Sequence, residues 1–448
     1  MIQFNSLQTL FQSENLNTAK MLNLKAGDIV NGQIVKLFPD NLALVQIGAM
    51  KLNAKVTTPL TENTRYWFQV AASAPVLELK LVDDIQSVTK ENGKGQAPIS
   101  YFLEKAGLPE TKENAQLVRM FLNENLPFSK EALKAVSEWL TEINKGDLPK
   151  AFEAIKLAVQ KQLPLTEAVL KSLLALQTEE TISHQLLKVI DAIKTNSQES
   201  QTMKLLQMTL SQLTSQTVEN KIDNLMSNSP VNWNNGKDVV KVLKQLINHL
   251  GLQHEHNIMT MEDEQSIENR LLALKPLLMK ALSESSDMKL NEKIQQLLSR
   301  ITGQQLINVG QEGPIQQLLL QLPIMLHSHS SDLLIQWTGK KRENGQIDSD
   351  HCTILFYIEL VQLQEMLVDV RVQNRIVTIQ IYNDTPQLDV IVKKYQMALK
   401  EQFANLRYHL SSIVVTKREE VLDKKINSIP TKIFSAFPPR TNGVDIRI

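Results

Sequence analysis

Hydrophobic and polar positions alternate most cleanly between Cys352 and Thr416. Ile354, Phe356, Ile358 and Leu360 recur with a period of two, as on one side of a strand, because successive strand side chains point to opposite faces. Val368, Val370 and Val372 alternate with Asp369, Arg371 and Gln373. After Asn374-Arg375, Val377, Ile379 and Ile381 alternate with Thr378, Gln380 and Tyr382. Two such runs across so short a gap predict an antiparallel hairpin. The period then becomes helical. Thr385 is the expected cap, Pro386 suits the first helical position, and Leu388, Ile391, Val392, Tyr395, Leu399, Phe403 and Leu406 follow on one face. That face is expected to cover the hairpin, and Ile413-Val414-Val415-Thr416 to return to the sheet. Upstream, Leu333, Ile335 and Trp337 alternate as a further strand, joined through a polar loop from Thr338 to Asp350.

Near the other end, five short alternating runs lie between Leu24 and Val82. They are Val30 to Leu37, Leu42 to Ile47, Met50 to Val56, Tyr66 to Val70 and Val76 to Leu81, with a turn at Pro39-Asp40-Asn41 and glycines at Gly27, Gly32 and Gly48. This pattern predicts a small barrel over 24–86 with OB-like or SH3-like closure. Asp83 to Ala97 reads as a polar linker. From Pro98 to about Ile301 the periodicity is helical, in a domain over 98–227 and a second segment over 237–302, broken near Asn228 to Gly236. Leu-Pro-x-(Ser/Thr) recurs at Leu108, Leu126 and Leu163. Each proline stops a helix, and each hydroxyl (Thr111, Ser129, Thr166) can accept an orphan N–H of the next one. Phe128 with Leu133, and Leu165 with Leu170, supply hydrophobic staples. Met203, Leu206, Leu210 and Leu213, and Leu271, Leu274, Leu278 and Leu282, read as bundle core. Gly303 to Pro323 reads as a connector to a C-terminal domain over 331–418. The tail, 419–448, carries Pro430, Pro438 and Pro439 and reads as irregular, with Ile426, Ile433 and Phe437 as its apolar anchors. The fold class is therefore multidomain α+β: a barrel, an all-α array, and an antiparallel sheet with one covering helix.

Composition narrows the function classes. The 448 residues contain 48 Lys+Arg and 48 Asp+Glu, so no global field favours nucleic acid or an anionic membrane. The single cysteine excludes an intramolecular disulfide and fits a reducing compartment. No secretory leader opens the chain and no run of about 18 apolar residues occurs, so a cytoplasmic protein without membrane insertion is expected. Residues 1–23, polar at their start, read as a flexible N-terminus, which is compatible with leaderless export.

Chemistry-bearing patterns fail on spacing. Thr338-Gly339-Lys340 resembles the end of a phosphate loop, but Leu334 stands where the first glycine belongs and Lys341 where Ser or Thr would hold magnesium. Gly93-x-Gly95 lacks the third glycine of a dinucleotide fingerprint. His249, His254 and His256, and the pair His327 and His329, lack the ligand spacing of a zinc site. His351 and Cys352 are strand neighbours and so face opposite ways. Tyr66, Trp67 and Phe68 are contiguous, so they alternate between core and surface, whereas a stacking platform for bases wants aromatics on one face. No catalytic residue, metal, cofactor or small-molecule substrate is predicted.

The order strand, connector, tight hairpin, helix with a late Leu406-Arg407 and final strand resembles the C-terminal domain of the bacterial flagellar hook-length control protein family. The phrases Thr302 to Leu306, Leu333 to Trp337 and Gly443 to Arg447 are similar to those of members from Bacillus-type bacteria. Family members usually carry Leu-Gly where this chain has Leu363-Gln364, and a Gly where it has Ser411-Ser412. The resemblance implies a non-enzymatic protein that contacts the flagellar export gate's switch protein through residues Thr353 to Thr416. The rival reading, from another class, is a nucleic-acid-associated adaptor using the N-terminal barrel and the basic tip Lys340 to Arg342.

Overall fold

The computed structural model describes residues 24–47, 50–57, 60–73, 76–82, 99–123, 126–178, 180–195, 200–214, 236–253, 273–309, 315–326, 329–342 and 346–417. The expected flexible N-terminus, the linker, the break near Asn228 to Gly236 and the tail lie outside or largely outside them. The chain divides into two compact units, the described parts running over 24–170 and 171–417.

In the first unit, β1 (Ile29–Leu37), β2 (Leu42–Ile47), β3 (Met50–Val56), β4 (Arg65–Ala72) and β5 (Leu77–Leu81) close a barrel in the order β1-β2-β3-β5-β4. Of the two closures expected, this five-stranded crossover arrangement is the OB-like one. The inward positions are apolar throughout: Val30, Ile34, Ala43, Val45, Ile47, Ala54, Val56, Phe68, Val70 and Leu79 are all buried. Gly32 lets the wall curl, because a Cβ there would come within 2.7 Å of Val45 Cγ1.

Five helices follow: α1 (Ile99–Ala106), α2 (Lys112–Asn123), α3 (Lys130–Glu142), α4 (Leu148–Gln160) and α5 (Glu167–Ala175), whose end passes into the second unit. Thr111 and Ser129 act as the caps expected of them, accepting from Asn114 N at 3.2 Å and Ala132 N at 3.1 Å. Phe128 does more than staple its helix. Its backbone bridges Ile29 at the start of β1, and its ring stacks edge-on against Phe102. Trp67, pointing out of β4, meets Phe102 at 5.4 Å. The helices thus cover the outer side of β4.

The second unit packs α6 (Ile182–Thr195), α7 (Gln201–Thr214), α8 (Gly236–Leu250), α9 (Leu274–Glu284) and α10 (Met288–Asn308) around one apolar core. That core also takes in Leu320, Leu322 and Ile335 of a six-stranded sheet. The strands are β6 (Ile315–Leu326), β7 (His329–Lys341), β8 (Ile347–Leu360), β9 (Gln364–Gln373), β10 (Ile376–Tyr382) and β11 (His409–Thr416). Their order is β11-β10-β9-β8-β7-β6, antiparallel except for the parallel β10–β11 pair, which is joined by α11 (Leu388–Asn405).

Several expectations need correction. The supposed connector from Gly303 to Pro323 is the end of α10 followed by β6. The supposed loop from Thr338 to Asp350 is mostly strand, because β7 and β8 extend the hairpin until Arg342 N donates to Gln346 O at 2.7 Å. Thr385 does not cap α11. Asn383 Oδ1 holds Thr385 N at 2.9 Å in a preceding turn, and the helix starts after Gln387, whose φ is 61°. Only part of the α11 stripe covers the sheet: Leu388 is buried and Phe403 packs on the hairpin core, while Ile391, Tyr395, Leu399 and Leu406 are exposed. Gln364 takes a φ of 53°, at the place where the hook-length control resemblance expects a glycine.

Two polar devices tie this unit together. Along the outer edge of β6, Asn308 Nδ2 donates to Leu319 O and Asn308 Oδ1 accepts from Leu319 N, both at 2.7 Å. Gln304 Oε1 accepts from Gln321 N at 3.1 Å. Side-chain amides four apart on α10 therefore stand in for a neighbouring strand. Behind that edge, the Asp332 carboxylate caps α6, accepting from Ile182 N at 2.7 Å, Ser183 N at 3.2 Å and Ser183 Oγ at 2.7 Å. Gln321 Nε2 also donates to it at 2.8 Å, and Gln321 Oε1 accepts from the buried Arg300 at 3.1 Å. Arg300 further donates to Thr178 Oγ1 and Glu180 O, each at 2.6 Å. Burial holds its guanidinium down to about 10, with Asp332 and Glu180 acting in the opposite sense. A charged group this deep is kept by its partners.

Candidate nucleic-acid interface

With the β4 side of the barrel packed under helices at Trp67, the outer face of β1, β2 and β3 carries exposed side chains. Strand alternation decides what it carries. Since Ala54 and Val56 point in, Lys51, Asn53 and Lys55 point out and are exposed. Cross-strand register sets Lys55 opposite Leu42, Asn53 opposite Leu44 and Lys51 opposite Gln46. Lys36 of β1 lies opposite Leu44, and Gln33 opposite Gln46. At the rim, Phe38 is 41% exposed, and the Lys36 ammonium sits 5.5 Å from its ring centroid. The rim turns back through Asp40 and Asn41, with φ of 60° and 57°. None of the three strands contains Asp or Glu. The face thus combines cations, amide hydrogen-bonding groups, a small apolar strip and one accessible ring.

These residues were not singled out from the sequence. The aromatics that were behave as alternation required: Tyr66 and Phe68 are buried in the barrel, and Trp67 is taken up by Phe102. The missed signal was the absence of acidic residues from Ile29 to Leu37 and Leu42 to Val56, while lysine recurs at Lys51 and Lys55 on one face.

The other sequence candidates are dispersed. Thr338, Gly339 and Lys340 lie within β7, and Gly339 is a packing residue, since a Cβ there would meet Ile347 Cγ2 at 2.6 Å. His249 Nδ1 pairs with Gln245 O along α8. His254, His256 and His327 fall outside the described residues, and among the described residues no three His, Cys, Asp or Glu side chains group as metal ligands. His351 and Cys352 point apart as expected: Cys352 is buried, which pushes its thiol pKa up, and His351 is exposed.

His351 belongs instead to a charged cluster at the turn end of the β7–β8 hairpin. Its Nδ1 lies 3.0 Å from Asp348 Oδ2 and its Nε2 lies 2.8 Å from Asn374 Oδ1. Arg342 pairs with Asp348 at 2.6 Å, and Arg375 with Asp350 at 3.1 Å. The Asp350 N–H, His351 and Arg342 together lower the Asp348 carboxyl to about 2. The hydrogen bonds to Asp348 and Asn374 raise the His351 imidazole above its ordinary value. Here Arg342 of the basic tip is neutralised by carboxylates, so the tip is a weak anchor for a phosphate chain.

Residues 6–77 match the TP0910 S1-like domain family. That match covers the N-terminal segment and the barrel through the first residue of β5. Over most of its length the chain is similar to an uncharacterised protein, YlqG, of Bacillus subtilis strain 168, with 20% identity across 92% of each chain. No solved structure matches. Among the described residues no helix is long and apolar enough to cross a membrane.

Proposed function

We propose that this chain is a non-enzymatic adaptor whose S1-like barrel binds single-stranded nucleic acid across β1, β2 and β3. The observation that carries the reading is the outer side of three strands without Asp or Glu, which bears the exposed Lys36, Lys51 and Lys55 beside Phe38 and the Leu42–Leu44 strip, with the Glu62 carboxylate held at Leu37 N on its margin. OB-like barrels bind oligonucleotides on this side, through strands 2 and 3 and the adjoining loops. Lysines follow the phosphates, a ring stacks on a base, and amides such as Asn53 meet base edges. The chain's zero net charge makes the attraction local, so binding is expected to be short-sited and strongly salt-dependent.

The test is fluorescence anisotropy of the full chain with labelled oligonucleotides of about 12 nucleotides, within the site size of one such fold. Three lysines on a single strand predict a log–log salt slope near −2, at about −0.7 per phosphate. Lys51→Glu with Lys55→Glu should abolish measurable binding without lowering thermal stability. Phe38→Ala should weaken it by about 1–3 kcal/mol, the worth of one stacked base. Binding that ignores both salt and these substitutions would refute the reading.

A second reading concerns the other end. The exposed flank of α11 formed by Ile391, Tyr395, Leu399 and Leu406 supports a protein-docking role for the C-terminal sheet and helix. The export gate's switch protein is the partner implied by the hook-length control resemblance. Calorimetry with that protein's cytoplasmic domain, using Tyr395→Asp as the control, tests it; no heat of binding removes the candidate.

A further inference from the structure

The helices cover β4 at Trp67, and two residues earlier on the same outward side Arg65 stands exposed. The register of the barrel fixes what lies beside it. Arg65 is opposite Gln33 of β1, Gln33 is opposite Gln46 of β2, and Gln46 is opposite Lys51 of β3. All four point outward, because their neighbours in sequence, Tyr66, Ile34, Val45 and Leu52, belong to the barrel core. One row therefore crosses four strands, with a guanidinium at one end, an ammonium at the other and two amides between. Neighbouring strands lie about 4.8 Å apart, so the two cations are about 14 Å apart along the barrel wall. Like β1, β2 and β3, β4 contains no Asp or Glu. Among the described residues no carboxylate pairs with Arg65. Glu62, three residues before it, directs its carboxylate to Leu37 N at 2.9 Å. Gln33 is steadied by its Nε2, which donates to Asn63 O at 3.4 Å.

We propose that Arg65 is a further binding residue of the barrel face, and that the nucleic acid strand crosses the barrel along this row, with one phosphate on Lys51 and another on Arg65. This rests on the single-strand reading of the face and adds to it a direction and a second anchor. An ammonium is a point charge that accepts many phosphate poses. A guanidinium offers paired N–H donors in a fixed plane and suits two phosphate oxygens at once. Lys51 therefore attracts the strand, and Arg65 fixes it. Between them Gln33 and Gln46 present amides to the base edges. From Lys51 the path turns along β3 to Lys55, which lies opposite Leu42, next to the Phe38 rim.

Fluorescence anisotropy of the full chain tests this, with labelled oligothymidylate or oligouridylate of about 12 nucleotides, whichever the wild type holds more tightly. A fourth cation steepens the log–log salt slope from about −2 to about −3. Arg65→Ala should weaken binding about tenfold at low salt, return the slope to about −2 and leave the thermal melt unchanged. Arg65→Lys keeps the charge without the fork, so it should keep the steeper slope. With strands shortened in steps from about 12 to about 3 nucleotides, the Arg65→Ala loss should shrink once the strand no longer reaches from Lys55 past Lys51 to Arg65. Affinity and slope unmoved by Arg65→Ala overturn the proposal, and the reading of the face then stands on the loss of binding in Lys51→Glu with Lys55→Glu. A loss of the same size at every length overturns it too, since that marks a local role and no crossing path. Absence of wild-type binding at about 50 mM salt removes the reading of the face, and this proposal with it.

Discussion

Removing the Asp332 carboxylate should unfasten α6 from the sheet. The Asp332→Ala chain leaves four donors without their acceptor: Ile182 N, Ser183 N, Ser183 Oγ and Gln321 Nε2. Loss of a helix cap alone costs about 0.5–2 kcal/mol. Buried donors stranded in an apolar setting cost about 1–3 kcal/mol more. Arg300, almost wholly buried, also loses the carboxylate that faces its charge, and breaking a buried pair from one side costs about 3–5 kcal/mol. These overlap, so the expected total is about 3–5 kcal/mol, without summing. Because the two units need not unfold together, a global melt is the wrong assay. Hydrogen exchange over residues 180–195 reads the local opening directly, and every tenfold loss of protection corresponds to about 1.4 kcal/mol. Protection of the first turn of α6 should fall by about two to three and a half decades. Arg300→Met with Asp332→Leu, which removes charge and carboxylate together, should recover a good part of it. Protection within tenfold of wild type in Asp332→Ala, or a double variant worse than the single, would refute the account.

Three further outcomes follow from the same geometry. Gly303→Ala should destabilise by about 1–3 kcal/mol despite alanine's better helix propensity, because its Cβ would lie 2.3 Å from Ser172 O; Gly146→Ala, with no atom within 4 Å, should be neutral in the same urea melts. Gln364→Gly should stabilise by up to about 1 kcal/mol by relieving a left-handed backbone. The turn end of the β7–β8 hairpin should have two pH limits. His351 contributes fully below about 6.5 and is lost as pH rises through its raised folded value, whereas Asp348 contributes above about 3.9 and is lost as pH falls towards about 2. An NMR titration should place His351 above 6.5 and lower it in Asp348→Asn, with the Asn374 contact still raising it.

What the sequence disclosed was the part governed by local periodicity. The β9–β10 hairpin pairs Val370 with Ile379 as the alternation requires, and the barrel follows its inward set of apolar residues. β6 was hidden because Leu318, Leu319, Leu320 and Leu322 are apolar without alternation, and Pro323 argued for a break. Proline is tolerated on an edge strand, and here it lies opposite Asp332 at that edge. The α11 stripe was expected to cover the hairpin, and only part of it does, because periodicity reveals an apolar face but not how wide a partner awaits it. The charged face of the barrel was overlooked for the complementary reason. Lysines there are informative only once the fold shows that three strands without Asp or Glu lie side by side, and total composition averages that away. Asp332 and Ile182 are 150 residues apart, so no local pattern could pair them.

Sealing β6 with the side chains of α10 has a consequence for growth of the sheet. A layer with two bare margins can accept units at both ends and propagate without limit into a fibre. Among the described residues, the β6 margin has its Leu319 and Gln321 backbone taken by α10 side chains, so a strand is added more readily at β11. Asn308 and Gln304 thus hinder strand addition along the middle of β6 as well as joining α10 to it.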